Sequence, residues 1–244
     1  MPVAKKRLIK ACVFDLGNTL VNDTHLTETV SAEMGNWLCA NAGVESPETF
    51  ATTYRRFNYG TNRPFISHTF GEPEFFEQTF KALAVDAVSP RDALEKYREI
   101  LIGKFHPDPD VVEALQVLKE NGIRLALLSN ERVKRVDAYM EKTDLARFFD
   151  PIIVSEKFGV EKPDPRIFRE VLNRLEVRGE ETIMFGDNEV ADGACSRLGI
   201  FFVLVTAFKN KAWIWEEGSP FTPDYVMKKI SRREMQTFLD AVRA

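Results

Sequence analysis

Cysteine is scarce in this 244-residue chain: Cys12, Cys39 and Cys195 are the only three, and no two stand in a C-x-x-C spacing. An odd count without paired spacing argues against a disulfide framework and reads as reduced, mostly buried thiols. No stretch approaches the ~18 consecutive apolar residues that a membrane helix needs, so no membrane partner is expected. The basic opening Lys5-Lys6-Arg7 leads into a short apolar run without an A-x-A-like cleavage site, which does not resemble a signal peptide and makes the cytoplasm the expected compartment. Basic charge is not in excess either. A net charge of −4 leaves no electrostatic footprint for nucleic acid, and Lys228-Lys229 with Arg232-Arg233 reads as the solvated side of a terminal helix. Nothing repeats internally, and no segment is low in complexity.

What is present is ordinary for a globular protein: 44% hydrophobic and 29% charged residues, on a chain long enough for a core plus a smaller insert. Leu8 to Leu16 is a nearly continuous apolar run stopped by Gly17-Asn18, the pattern of a strand buried on both faces. Similar runs recur at 123–128, 152–154, 182–185 and 200–205, separated by segments of helical periodicity. Alternation of this kind predicts right-handed βαβ crossovers and a doubly wound parallel, Rossmann-like α/β sheet. Asp108-Pro109 and Asp164-Pro165 each start a helix, and Asn121-Gly122 ends the first of them.

Between the first strand and Phe105 roughly eighty residues pass without a convincing strand, punctuated by Pro47, Pro64, Pro73 and Pro90. This predicts a helical subdomain over 22–106, inserted into a core of 1–21 and 107–244. Ser46-Pro47 and Ser89-Pro90 are good helix starts, each with an acid in the first turn. The helical spacing of Phe50, Phe57, Phe65, Phe70, Phe75, Phe76 and Phe80 favours a packed core within the insert. Arg55, Arg56, Asn58, Tyr59, Asn62 and Arg63 crowd around Gly60; they read either as a solvated loop or as a reader of the substrate. Trp213 and Trp215 either pack the core edge or form a dimer contact, so a monomer or a homodimer is expected.

Four short motifs fall at the carboxyl ends of predicted strands, where open α/β sheets place their ligands. They are Val13-Phe14-Asp15-Leu16-Gly17-Asn18-Thr19, Leu127-Leu128-Ser129-Asn130, Lys162-Pro163, and Phe185-Gly186-Asp187-Asn188 with Asp192. Taken together and in this order, they resemble the motifs of the haloacid dehalogenase superfamily. The insert directly after the first motif resembles the subgroup with a helical C1-type cap. The resemblance implies a Mg²⁺-dependent hydrolase, foremost a phosphatase acting on a small phosphorylated metabolite.

Residue chemistry agrees with that expectation. A carboxylate attacking phosphorus forms an acyl-phosphate and splits one displacement into two, which makes Asp15 the candidate nucleophile. Mg²⁺ favours a few carboxylates with water and substrate oxygens, so Asp15 and Asp187 are candidate metal ligands. The resemblance adds the Gly17 carbonyl, and Asp192 directly or through water. Ser129 and Asn130, with the amides of a helix expected to open at Glu131, are candidates to bind phosphate. Lys162 is the candidate cationic clamp on the nucleophile and the transferring group.

One position departs from the family pattern. Its phosphatases usually carry a second aspartate two residues after the nucleophile, as proton donor, and here that residue is Gly17. His25, Asp23 and Asp192 are the candidate substitutes, His25 because its ordinary pKa lies near neutrality. The departure leaves open a catalytically retired binding module. A phosphonate hydrolase would tolerate a small residue here but needs a cap lysine, for which Lys81 and Lys96 are available. A dehalogenase is disfavoured, because that branch lacks the Gly186-Asp187 pair.

Overall fold

The structure is a computed structural model that describes residues 8–59, 73–209 and 219–243. The chain divides into two compact units, one of residues 1–22 and 107–244 and one of residues 23–106.

The first unit is built on a six-stranded, all-parallel sheet in the order β3-β2-β1-β4-β5-β6. Its strands are β1 (Ala11–Phe14), β2 (Arg124–Ser129), β3 (Ile152–Val154), β4 (Thr182–Gly186), β5 (Phe201–Val205) and β6 (Tyr225–Met227). All four residues of β1 are buried, as expected of a central strand covered on both faces. The strand is shorter than the apolar run that signals it. Leu8 is exposed, and Leu16 belongs to a turn in which its carbonyl accepts from the Leu20 and Val21 amides. Strand β6 carries no apolar run: three residues at a sheet edge, with Val226 exposed, leave little pattern in the sequence.

Both faces are covered. Ala11, Val13, Ala126, Leu128 and Met184 pack with Ile167, Phe168 and Val171 of helix α8 (Pro165–Leu175). On the other face Phe14 stacks on Phe185, with centroids 4.7 Å apart, and Phe185 meets Phe238 of helix α9 (Arg232–Arg243) edge-on. Helix α5 (Pro109–Glu120) starts where Asp108-Pro109 places it, the Asp108 carboxylate accepting from the Asp110 amide. Asp164 does the same for α8 through Arg166. Lys229 is not merely solvated. It reaches Asp108 at 3.2 Å and Asp110 at 2.7 Å, fastening the segment before α9 to the start of α5.

The second unit contains α1 (Asp23–Ala42), α2 (Pro47–Tyr59), α3 (Pro73–Leu83) and α4 (Pro90–Gly103). Ser46 and Ser89 accept from the Thr49 and Asp92 amides at its helix starts. Phe50, Tyr54, Phe76, Phe80 and Tyr97 form one buried aromatic cluster, so Phe50, Phe76 and Phe80 are core rather than a ligand box, while Phe57 is half-buried. Phe65, Phe70, Trp213 and Trp215 lie outside the described residues, as do Gly60, Asn62 and Arg63; Arg55 and Arg56 are exposed on α2. Among the described residues no helix is long and apolar enough to cross a membrane.

Candidate active site

Strand β1 lies between β2 and β4, where the chain's direction of travel across the sheet reverses, and this switch point opens the crevice at the carboxyl edge. Phe14 registers with Leu127 on one side and Phe185 on the other. Asp15, Ser129 and Asp187 therefore leave the sheet within two residues of the same rung. The Asp15 amide still donates to the Phe185 carbonyl at 2.9 Å, which extends the ladder to the carboxylate itself.

Lys162 closes the group from the segment between α7 (Ser155–Phe158) and α8. Its side chain is buried, and its Nζ donates to Asp15 Oδ1 and to Asp192 Oδ1, each at 2.6 Å. The direct bond to Asp192 carries no signal in the sequence, because the two residues sit on different loops. Asp192 Oδ2 in turn accepts from the Asn188 amide at 3.1 Å. Both Asp192 oxygens thus face donors. Asn188, not Asp187, caps the following turn by accepting from the Val190 and Ala191 amides. That leaves Asp187 free for the site. Thr19, which the sequence did not single out, is buried with its hydroxyl 3.5 Å from Asp15 Oδ2.

Asp15, Asp187 and Asp192 each offer an oxygen, all within 4.8 Å of one another. Three carboxylates share one ammonium in a buried place, and the electrostatics register the mismatch. Burial raises the Asp15 carboxyl most; Lys162 pulls the other way and Asp192 adds to the rise, so its pKa is pushed up from 3.8 to about 7. Removal from water, then repulsion by Asp15 and Asp192, holds Asp187 well above the ordinary carboxylate range. Burial works against the Lys162 charge, but the two carboxylates outweigh it and its pKa is raised. An all-oxygen donor set with surplus negative charge fits a hard divalent cation, which would relieve that surplus.

The loop after β2 differs from expectation. Helix α6 runs over Val133–Thr143 and does not open at Glu131. The intervening amides are already taken: Glu131 N donates to Ser155 Oγ at 3.1 Å, Arg132 N to the Glu131 carboxylate at 2.9 Å, and Val133 N to Glu156 at 2.8 Å. These groups are not open to a phosphate. The buried Glu131 also pairs with Arg135 one turn on, an i, i+4 spacing whose burial the sequence does not signal. Ser129 stands buried at the end of β2. The Asn130 amide faces the Lys162 backbone, donating to its carbonyl and accepting from its N–H, both at 2.8 Å. Gly17 forms a one-residue parallel bridge with Val21, and the left-handed residue of that turn is Asn18, at φ 53°. Asp23 and His25 lie in the first turns of α1, Asp23 buried and His25 exposed.

A family model for haloacid dehalogenase-like hydrolases matches residues 9–194, which contain all four motifs. The chain belongs to that family, and is a hydrolase by its family and relatives. It is 30% identical over 189 residues to the glyceraldehyde 3-phosphate phosphatase of Methanopyrus kandleri, covering 74% of this chain and 76% of the relative. It is 27% identical over 221 residues to the (S)-2-haloacid dehalogenase 4A of Burkholderia cepacia, covering 89% and 87%. Among solved structures, the magnesium-bound HAD-hydrolase YfnB of Bacillus subtilis superposes with a TM-score of 0.70 at 20% identity, over 97% of this chain and all of that one.

Proposed function

We propose that this chain is a Mg²⁺-dependent phosphomonoesterase that acts on a small phosphorylated metabolite through an aspartyl-phosphate at Asp15, with residues 22–106 as the substrate-selecting cap. The observation that carries this reading is the Lys162 ammonium held between Asp15 and Asp192 beside a third carboxylate, Asp187.

The Asp15 carboxylate, with Lys162 at its Oδ1, attacks phosphorus. The bond from phosphorus to the substrate oxygen breaks as the acyl-phosphate forms, and the departing oxygen takes up a proton. Water then attacks the same phosphorus, releasing inorganic phosphate and the Asp15 carboxylate. Lys162 offsets charge on the nucleophile and the transferring group, and Ser129 donates to a phosphate oxygen. Asp15, Asp187 and the Gly17 carbonyl would hold Mg²⁺, with Asp192 near or through water, and the ion would neutralise phosphate charge beside these carboxylates.

A relative named as a phosphatase supports the small phosphorylated substrate. The dehalogenase relative is the rival, and the three-carboxylate cluster argues against it, since an acid-rich pocket calls for a cation. A phosphonate hydrolase is disfavoured too: Lys81 is exposed, and Lys96 is paired with Glu99 at the surface. A retired site has no physical need to keep Asp15, Ser129, Lys162 and Asp187 at one sheet edge. Phosphate release from a panel of phosphorylated sugars, trioses and acids, with Mg²⁺ and with a chelator, tests the reading. Metal-dependent release from at least one compound is expected; no release from any of them overturns it.

A further inference from the structure

We infer that Asn130 is a positioning residue for Lys162: its side-chain amide holds the Lys162 backbone at both polar groups and so sets where the ammonium stands between Asp15 and Asp192. The inference rests on the reading of Lys162 as the clamp of a phosphoryl-transfer site.

Lys162 belongs to no helix or strand; it sits in the turn that leads to Pro165. No ladder therefore pairs its backbone N–H and C=O, although buried backbone groups must find partners. The Asn130 side chain supplies both partners from 32 residues away, with Oδ1 accepting from Lys162 N and Nδ2 donating to Lys162 O, each at 2.8 Å. This imitates a strand bridge with one side chain. Only an amide offers a donor and an acceptor at that spacing. Aspartate has the shape but not the donor, glutamine is longer by one methylene, and alanine has neither group.

Placement matters because the Lys162 stem is buried, which leaves it little room to compensate, and its two contacts are short. A backbone shift at residue 162 passes directly to Nζ, which must meet two carboxylates on two other loops. Asn130 is itself well fixed. It follows the last residue of β2, and the next amide, Glu131 N, is tied to Ser155, the first residue of α7. One brace therefore joins the end of β2 to the loop that bears the lysine.

The test uses the full chain with Mg²⁺ and an aryl phosphate, comparing wild type, Asn130→Asp and Asn130→Ala, with folded fractions fixed by circular dichroism. Displacement of a charged group by about 1 Å is worth up to ~10²-fold in rate. The expected result is a fall in kcat of that order with KM changed by less than about twofold. A loss confined to KM contradicts the inference, since it marks direct contact with the phosphate. Crystal structures of the two variants supply a readout independent of turnover, and the near-isosteric Asn130→Asp guards against simple misfolding. Loss of at least one of the Lys162 contacts to Asp15 and Asp192 is expected, and an unmoved ammonium overturns the inference. If wild type hydrolyses nothing, the phosphatase reading fails, while the position of the ammonium still decides the role of Asn130.

Discussion

Gly186 lies directly against the Asp192 carboxylate: a Cβ on Gly186 would stand 2.1 Å from Asp192 Oδ2 and 2.3 Å from its Cγ. Strand β4 ends in glycine because the chain folds back over it and brings Asp192 to Lys162. The glycine and both aspartates of the fourth motif are therefore one packed unit: Asp192 needs the space, and Asp187 projects from the residue next to it.

Gly186→Ala is expected to displace Asp192 and leave Lys162 with one carboxylate partner. The contact falls on a buried group with little room to yield, so the cost should resemble overpacking, about 1–3 kcal/mol. Denaturant unfolding of metal-free wild type and variant measures it. Equal stabilities would contradict the packing described here.

Stability should depend on Mg²⁺ in a way that follows Asp15. The unfolded carboxyl loses its proton near 3.8, whereas the folded one keeps it to about 7 in the metal-free protein. Across that window the folded state binds more protons than the unfolded state, so this group's contribution to stability falls as pH rises. A cation held by the carboxylates favours their ionised forms and reverses the loss. The melting temperature should gain several degrees more from Mg²⁺ at pH 8 than at pH 5. A gain independent of pH would separate the metal from these carboxylates.

Much of this arrangement is legible in the sequence, for physical reasons that differ by residue. Asp15, Ser129 and Asp187 each end an apolar run, and a parallel sheet aligns such ends along one edge. Asp108 and Asp164 are visible as caps because a proline follows each. The Lys162–Asp192 and Asn130–Lys162 contacts are not legible, since loops that meet only in the folded state have no common period. The start of α6 is misplaced for a related reason: Glu131 and Glu156 take the amides beyond β2, and Glu156 arrives from the short helix α7 after β3. Strand β6 is too short, and too exposed at Val226, to leave an apolar run.

Gly17 is the one position where the family's acid is missing. Gly17→Asp is expected to supply a leaving-group acid and to speed turnover of poor leaving groups by up to ~10²-fold, with little change for activated aryl phosphates. The left-handed residue of this turn is the neighbouring Asn18, which an asparagine tolerates. Comparing turnover of a poor and a good leaving group in wild type and variant checks this. A folded, Mg²⁺-binding variant with no gain on the poor leaving group would show that another group already donates the proton.

The central claim is that phosphoryl transfer passes through the Asp15 carboxylate, and covalent capture tests it most directly. Enzyme turning over its best phosphate ester with Mg²⁺ is quenched in acid, digested and mapped by mass spectrometry, in parallel with Asp15→Asn. The account expects one added phosphoryl group on the peptide that contains Asp15 in the wild type, and a folded Asp15→Asn protein with neither the adduct nor measurable turnover. A phosphoryl group on any other residue, or full activity in Asp15→Asn, would contradict it.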